Sequence, residues 1–354
     1  MMTVEKSLQK IETNFLKKVH SDKNLNNAFL LVHSKKLGID LNLAAGSANP
    51  NPDQPHYMAS VGKIFTATIV GMLHDQGKLS FDDPIAKHLD AELMKGLHVY
   101  KGYDYSGEIR IKHLLNQTSG LADVFLPLFK KLMKEPLKIT AREAVIWGKQ
   151  NLKPKAKPGE KHVYTDTNYY LLGFIVESIT RKPSHEALHE LIFEPLGMKH
   201  AWMQGFSEPT KKSGLPKAGF YYKGLNVSEM EGFYEIDYAG GGVVATSAEY
   251  LRFMKALVNH QLVQPETLQR MLSDDKRSLP NFRYGYSIWK LASIPLLLPE
   301  KYYSWGCAGI TGAYLFYHPK TETFMVVNFN DIAYTSKAFV FLLRKVVREL
   351  LKLS

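Results

Sequence analysis

Strand-like segments stand at both ends of this chain, with helical patterns filling most of the length between them. That arrangement restricts the possible folds more than any other feature. Near the start, AFLLVHSKKLGIDLNLAAG reads as two strands joined by a short turn at Lys35 and Lys36. Near the other end, GAYLFYHPKTETFMVVNFND reads as a second hairpin, turning from His318 to Thr321. An isolated hairpin is marginal in water, so the two ends are expected to share one sheet. Outside them, MMTVEKSLQKIETNFLKKVH reads as an amphipathic helix. SKAFVFLLRKVVRELLKL reads as another, apolar at three-and-four spacing with basic residues between. The interior adds SVGKIFTATIVGMLHDQGKL, a helix closed by Gly77, and DTNYYLLGFIVESITRKP, followed by Pro183. PSHEALHELIFEPLGM reads as a third, ending before Pro195. The middle of the chain is therefore expected to form a helical lobe inserted into the sheet.

At 354 residues, with 45% hydrophobic and 22% charged, the chain has ordinary globular composition and enough length for a large core. No stretch approaches the roughly 20 apolar residues of a membrane span, and the first residues lack the central apolar block of a secretory signal. A cytoplasmic location is the expectation. The net charge of +11 invites a nucleic-acid reading. The basic runs FKKLMK, KPKAKPG and PTKKSG are scattered and do not interleave with aromatics, so they read as solvated loops and helix ends, with no nucleic-acid partner expected. Cys307 is the single cysteine, which rules out an internal disulfide and a cysteine-based zinc site.

Four S-x-x-K sequences occur: Ser7/Lys10, Ser60/Lys63, Ser273/Lys276 and Ser287/Lys290. Nucleophilic use of such a pair requires the amine beside the hydroxyl in a partly desolvated place, where it accepts a proton or polarises the hydroxyl. Three residues on a helix bring two side chains within roughly 60° of one another. Ser7 lies on a charged surface helix, Ser273 in a solvated SDDKRS loop, and Ser287 in an extended YGYSIWKL. Only Ser60 opens an apolar helix, whose N-terminus also favours a developing oxyanion. Taken alone, the helix favours the plainer reading, with Ser60 as a cap and Lys63 as a snorkelling surface lysine.

A wider pattern decides between these. MASVGKIFTATIVGMLHDQGKLSFDDPIAKHL, IKHLLNQTSGL, KPGEKHVYTDTNYYLLGFIVESITRKP, IFEPLGMKHAWM, YAGGGVVATSAEYLRFM and WGCAGITGAYLFYHP occur in that order. Together they resemble the landmarks of the penicillin-recognising serine hydrolases: class C β-lactamases, DD-peptidases and the related family VIII esterases. The resemblance implies an α/β (α+β) fold, an antiparallel sheet of five or more strands flanked by helices with an inserted helical lobe. It implies one domain, with a sheet lobe from about residues 1–75 plus 240–354 and a helical lobe from about 76–239. It also implies a serine hydrolase without cofactor or metal, acting through an acyl-enzyme on Ser60. Lys63 and Tyr164 would manage the proton, the Tyr164 phenol acidified by the nearby charge. Asp166, placed among the substrate-binding residues, stands where β-lactamases mostly carry asparagine; an aspartate there accepts hydrogen bonds from Lys63 but, while ionised, has no amide N–H to donate to a substrate carbonyl. Cys307-Ala308-Gly309 stands where the family usually places K-T-G or H-x-G, which would put Cys307 among the substrate-binding residues; as a lone cysteine it reads first as a buried small hydrophobe, and no cysteine–histidine pair points to a thiol nucleophile. Gly309 keeps the backbone open and Ile310 would supply an oxyanion N–H with that of Ser60. A neutral thiol at Cys307 lacks the charge that holds a substrate carboxylate, so small esters are expected to be better substrates than β-lactams or D-peptides, unless Lys290 or Arg283 reaches the site.

Two other readings remain at this stage. His185-Glu186-Ala187-Leu188-His189 is a literal H-E-x-x-H, which on a helix places two zinc ligands on one face with Glu186 as general base. The extended metzincin spacing fails at Glu190-Leu191-Ile192, and Glu194, Glu208 and Glu229 are the remaining third-ligand candidates, so the segment is expected to be structural. The altered third motif also suits a slow-acylating penicillin-binding sensor or a pseudoenzyme, while Ser60, Lys63 and Tyr164 favour turnover.

Overall fold

The structure is a computed structural model describing residues 3–293 and 298–353. Among these residues, eight strands build one sheet: β1 (Ala28–Ser34), β2 (Ile39–Ala45), β3 (Lys276–Leu279), β4 (Phe282–Tyr284), β5 (Trp289–Leu291), β6 (Trp305–Gly309), β7 (Ala313–His318) and β8 (Thr323–Asn328). Their order is β3-β4-β5-β6-β7-β8-β1-β2, and every pairing is antiparallel. Both expected hairpins are present, and β1 pairs with β8, Leu31 opposite Val326. The two chain ends therefore close one sheet, and helices cover both of its faces.

Side-chain alternation explains the layering. Leu30, Val32, Phe316, Met325 and Val327 point to one face, where they meet Ile11, Phe15 and Val19 of the Val4–His20 helix and Phe341, Leu342 and Val346 from the C-terminal end. Leu31, Leu315 and Val326 point to the other face, into the larger core shared with the Gly62–Asp75 and Thr167–Thr180 helices. The apolar spacing of the C-terminal segment is helical throughout, yet the helix changes type. Thr335–Phe341 is α-helical, Leu342–Val347 forms a π turn, and Arg348–Leu350 returns to α. Ser7, expected on a solvated helix face, is fully buried.

His56 sits in the sheet-side core between Phe29, with ring centroids 4.2 Å apart, and Tyr250, at 5.5 Å. Neither of its ring nitrogens has a hydrogen-bond partner among the described residues. Burial pushes its pKa from 6.5 down to about 3. An unfolded chain takes up this proton below pH 6.5 and the folded chain does not, so the stability His56 contributes is present above 6.5 and lost as pH falls toward 3. The slope from one such proton is about 1.4 kcal/mol per pH unit. His56→Phe keeps the stacking and removes the titration, so its stability falls less steeply between pH 6 and 4. Denaturant melts across that range check this, and an unchanged slope rejects it.

Candidate active site

The nucleophile candidate is held at a bend. Ala59 takes a left-handed φ of 51°, an uncommon conformation for a residue with a Cβ, and Ser60 follows inside the short 3-10 turn Ala59–Val61 that leads into the Gly62–Asp75 helix. Ser60 thus precedes the α-helix by one turn. Its side chain is half-buried and opens onto the surface of the cleft. β6 reaches it closely, because a Cβ on Gly309 would lie 2.1 Å from the Met58 carbonyl oxygen. Glycine at 309 is therefore what lets the strand approach the Ser60 segment.

Lys63 is fully buried and uses all three of its ammonium protons. It donates to Ser60 Oγ at 3.0 Å, to the Asp166 carboxylate and to the Gly240 carbonyl. Burial works against its charge, but the Asp166 carboxylate, helped by Tyr164 and Asp237, outweighs this and holds its pKa above the ordinary lysine range. A neutral amine ready to accept the Ser60 proton was one expectation for this position. Its raised pKa makes it a cation instead, because the Asp166 carboxylate it touches is buried with it.

Tyr164 stacks on Trp289 of β5 with centroids 6.3 Å apart, and the Lys63 ammonium lies 5.4 Å from its ring centre. Lys63 and a hydrogen bond to Ser60 pull its pKa down, but burial is the larger effect and holds the phenol above its usual value. The expected acidified phenol is thus corrected to a protonated one. Its loop is fixed from below by the NQTSGL segment: Val163 N–H donates to the Gln117 carbonyl at 2.8 Å, and Thr165 N–H to the Gln117 side chain at 3.0 Å. Asp123 accepts from Asp166 N–H at 2.8 Å.

Cys307 does not touch the cleft. Its side chain is buried behind Ser60, with Sγ 3.2 Å from the Ser60 carbonyl oxygen, and burial pushes the thiol up to about 12. Strand alternation presents Ala308 to the cleft instead, together with Gly309 and Ile310. Cys307 is thus the buried small side chain that a lone cysteine is expected to be, and its place among the substrate-binding residues is corrected to a supporting position. Lys290 and Arg283, the candidates to replace a missing cation, both pair with Asp275 and line no part of the cleft. Ser287 is not extended. It has φ 59°, is buried, and donates to the Lys63 backbone carbonyl at 2.9 Å, so the second S-x-x-K buttresses the first. Ser273 closes the Pro265–Ser273 helix rather than lying in a loop.

Sequence reasoning missed Asp237. It is buried, accepts from Tyr57 Oη at 2.6 Å and from Gly242 N–H at 2.5 Å, and so braces the glycine loop whose Gly240 carbonyl receives Lys63. Burial raises its pKa to about 6, against the opposing pull of Tyr57 and Lys63. The only signal was an acidic residue directly before YAGGG in an apolar stretch. In the HEALH segment the helix turns from α at Ser184–Leu188 to π at His189–Phe193. His185 stacks on Phe206 and Lys182 pairs with Glu190. Among the described residues, no group of three His, Cys, Asp or Glu side chains is placed to hold a metal.

Ser60 opens onto two cavities of about 510 and 500 Å³, which share Ser60, Phe125, Leu126, Asp166 and Ile310. Tyr164 lines only the first, and Tyr57 and Asp237 only the second. Among the described residues, no helix is long and apolar enough to cross a membrane.

Comparison with known proteins places this geometry in context. A family model described as Beta-lactamase matches residues 28–338. A protein of Escherichia coli (strain K12) named as a D-alanyl-D-alanine carboxypeptidase is 26% identical over 264 residues, covering 65% of this chain and 58% of its own length. A protein of Bacillus subtilis (strain 168) named as a penicillin-binding protein is 25% identical over 240 residues, covering 64% and 52%. The chain thus spans little more than half the length of these curated relatives. The crystal structure of D-amino acid amidase from Ochrobactrum anthropi SV3 superposes with a TM-score of 0.78 at 20% identity, covering 98% of both chains. Identity at that level speaks for the fold, which the two share from end to end.

Proposed function

The chain belongs to the Beta-lactamase family, and from that premise we propose that it is a serine hydrolase working through an acyl-enzyme on Ser60. The observation that carries this is the Lys63 ammonium, buried, pinned by Asp166 and Gly240, and donating to Ser60 Oγ at 3.0 Å. A lysine placed there for packing alone would not keep its charge in the core against the cost of desolvation.

In the first step, Ser60 Oγ bonds to the substrate carbonyl carbon and the C=O electron pair moves onto oxygen. The N–H groups of Ser60 and Ile310 receive that oxyanion, in a place where fixed dipoles act without reorganising. Tyr164 is a protonated phenol, so it relays rather than stores the proton. It passes its own proton to the leaving heteroatom as it takes the one from Ser60, and the carbon–heteroatom bond breaks. Water then attacks the acyl carbon, its proton travels the same path in reverse to Ser60 Oγ, and the acid leaves. Lys63 stays cationic throughout and steadies both oxygens by charge. Asp166 keeps it so.

The leaving-group side, where Tyr164 stands, contains Asp123 and Asp166 and no cation among its described lining residues. A carboxylate on the leaving group would meet two acidic side chains and no partner. Charge-assisted hydrogen bonds contribute about 1.5–3 kcal/mol, so carboxylated leaving groups are disfavoured by roughly 10–100-fold. We therefore expect p-nitrophenyl acetate to turn over continuously, with kcat/KM at least tenfold above that for nitrocefin or a D-alanyl-D-alanine peptide. Steady-state rates across that panel, with intact-mass detection of the acyl adduct, test the reading. A single burst equivalent on every ester would point to a sensor, and nitrocefin hydrolysis at the best ester's rate would overturn the substrate preference.

A further inference from the structure

The two cavities at Ser60 differ in charge as well as in position. The Tyr164 side has an aliphatic mouth: Leu279 and Val340, 51% and 48% exposed, stand there beside Leu126 and Ile310, 51% and 42% exposed, which both cavities share. Leaving such large apolar side chains in water around one opening is costly unless something apolar covers them. The Tyr57 side is apolar within, walled by Phe129, Met133 and Phe233, but its rim carries Lys130, Lys134 and Lys223. Lys130 lies in the Phe125–Leu132 helix and Lys134 four residues on, while Lys223 comes from the Tyr221–Asn226 hairpin. None of the three forms an ion pair among the described residues, although the neighbouring Lys131 pairs with Glu135. Three like charges from two separate elements therefore converge on one opening without a counterion. The carboxylates of this cavity are already engaged, Asp166 with Lys63 and Asp237 with Tyr57 and Gly242, so they leave the rim lysines uncompensated.

Resting on the serine-hydrolase reading above, we propose that the substrate is an ester or amide with an anionic acyl arm. The arm is apolar near the carbonyl and ends in an anionic group between Lys130, Lys134 and Lys223, while the leaving group is uncharged and apolar. Tyr164 fixes the sides, because the group it protonates must sit in the cavity it lines. Substrates carrying the charge next to the scissile bond hold it away from the lysine rim and gain nothing from it. Those carrying it several carbons away place it at the lysine rim.

The test compares p-nitrophenyl hexanoate with the mono-p-nitrophenyl ester of adipic acid and the p-nitrophenyl ester of 6-phosphonohexanoic acid. The acyl arms are of similar length, ending in a methyl, a carboxylate and a phosphonate. Exposed ion pairs each contribute about two- to fivefold, so three lysines favour the anionic esters over hexanoate by roughly 10–100-fold at low salt, fading as salt is added. The carboxylate and phosphonate arms show which anion the rim prefers. In the triple variant Lys130→Glu/Lys134→Glu/Lys223→Glu, and in the milder triple Gln variant, the anionic-to-neutral ratio of kcat/KM falls at least tenfold. A fluorophosphonate label on Ser60 reports that each variant is folded. Equal ratios in wild type and labelled variants overturn the anionic arm and leave the nucleophile reading intact. Failure of Ser60 to take the label in the wild type strikes the nucleophile reading itself.

Discussion

Ser60→Ala lowers kcat for p-nitrophenyl acetate on the order of 10⁴–10⁶-fold and abolishes the fluorophosphonate adduct. The magnitude follows from what is removed and what stays. The substitution deletes one oxygen from a half-buried position, while Lys63 remains fixed by Asp166 and the Gly240 carbonyl, and Tyr164 remains stacked on Trp289. The fold is therefore little disturbed, and the loss reports chemistry. Removing the nucleophile of an acyl-transfer unit costs about as much as removing the unit entirely. Adding Lys63→Ala to Ser60→Ala should accordingly change the residual rate by less than about tenfold. Mass spectrometry of the labelled digest locates the adduct. A label that persists in Ser60→Ala, or turnover within tenfold of wild type, removes Ser60 from the mechanism.

Much of this molecule was legible because its information is local. The period-two alternation of AFLLVHS and TFMVVN announced strands, and the turns at Lys35 and His318 closed hairpins within a few residues. The segments that meet around Ser60 were legible for a different reason, as ordered landmarks whose resemblance to a family carried the fold with them. Charge states were not legible. Whether Lys63 is an amine or an ammonium depends on Asp166, which lies 103 residues away in sequence and enters the site only through the fold. The burial of Cys307 was legible as the usual place of a lone cysteine, but what it lies against was not, because a strand offers two faces and the sequence of β6, WGCAG, alternates too weakly to choose between them. Asp237 was missed for a similar reason: its role is to brace a loop, and nothing in an isolated acidic residue announces the Tyr57 hydroxyl it will meet 180 positions away.

Lys63→Met separates the two roles of the buried cation. It keeps the apolar stem and removes the charge, so turnover of p-nitrophenyl acetate falls about 10²–10⁴-fold, the span of a proton-handling group. Stability falls as well, by about 3–5 kcal/mol, because the Asp166 carboxylate loses its partner in a place with little water. The direction of the Lys63 pKa gives the pH dependence. Its folded value is raised above 10.5, so the stability it contributes is fully present below that pH and is lost only as pH climbs through the folded value. The pair therefore contributes its full stability at neutral pH, and rate profiles between pH 6 and 9 show no limb from Lys63. The double variant Lys63→Met/Asp166→Asn leaves no unpaired charge, and replacing a buried pair by neutral groups is often close to neutral for folding. It should regain most of the lost stability in denaturant melts while remaining as inactive as Lys63→Met. Recovery of turnover in the double variant would show that the charge served folding alone. Near wild-type turnover in Lys63→Met would place the steadying of the Ser60 proton elsewhere, and the ammonium at 3.0 Å from Ser60 Oγ would then be a structural cation only.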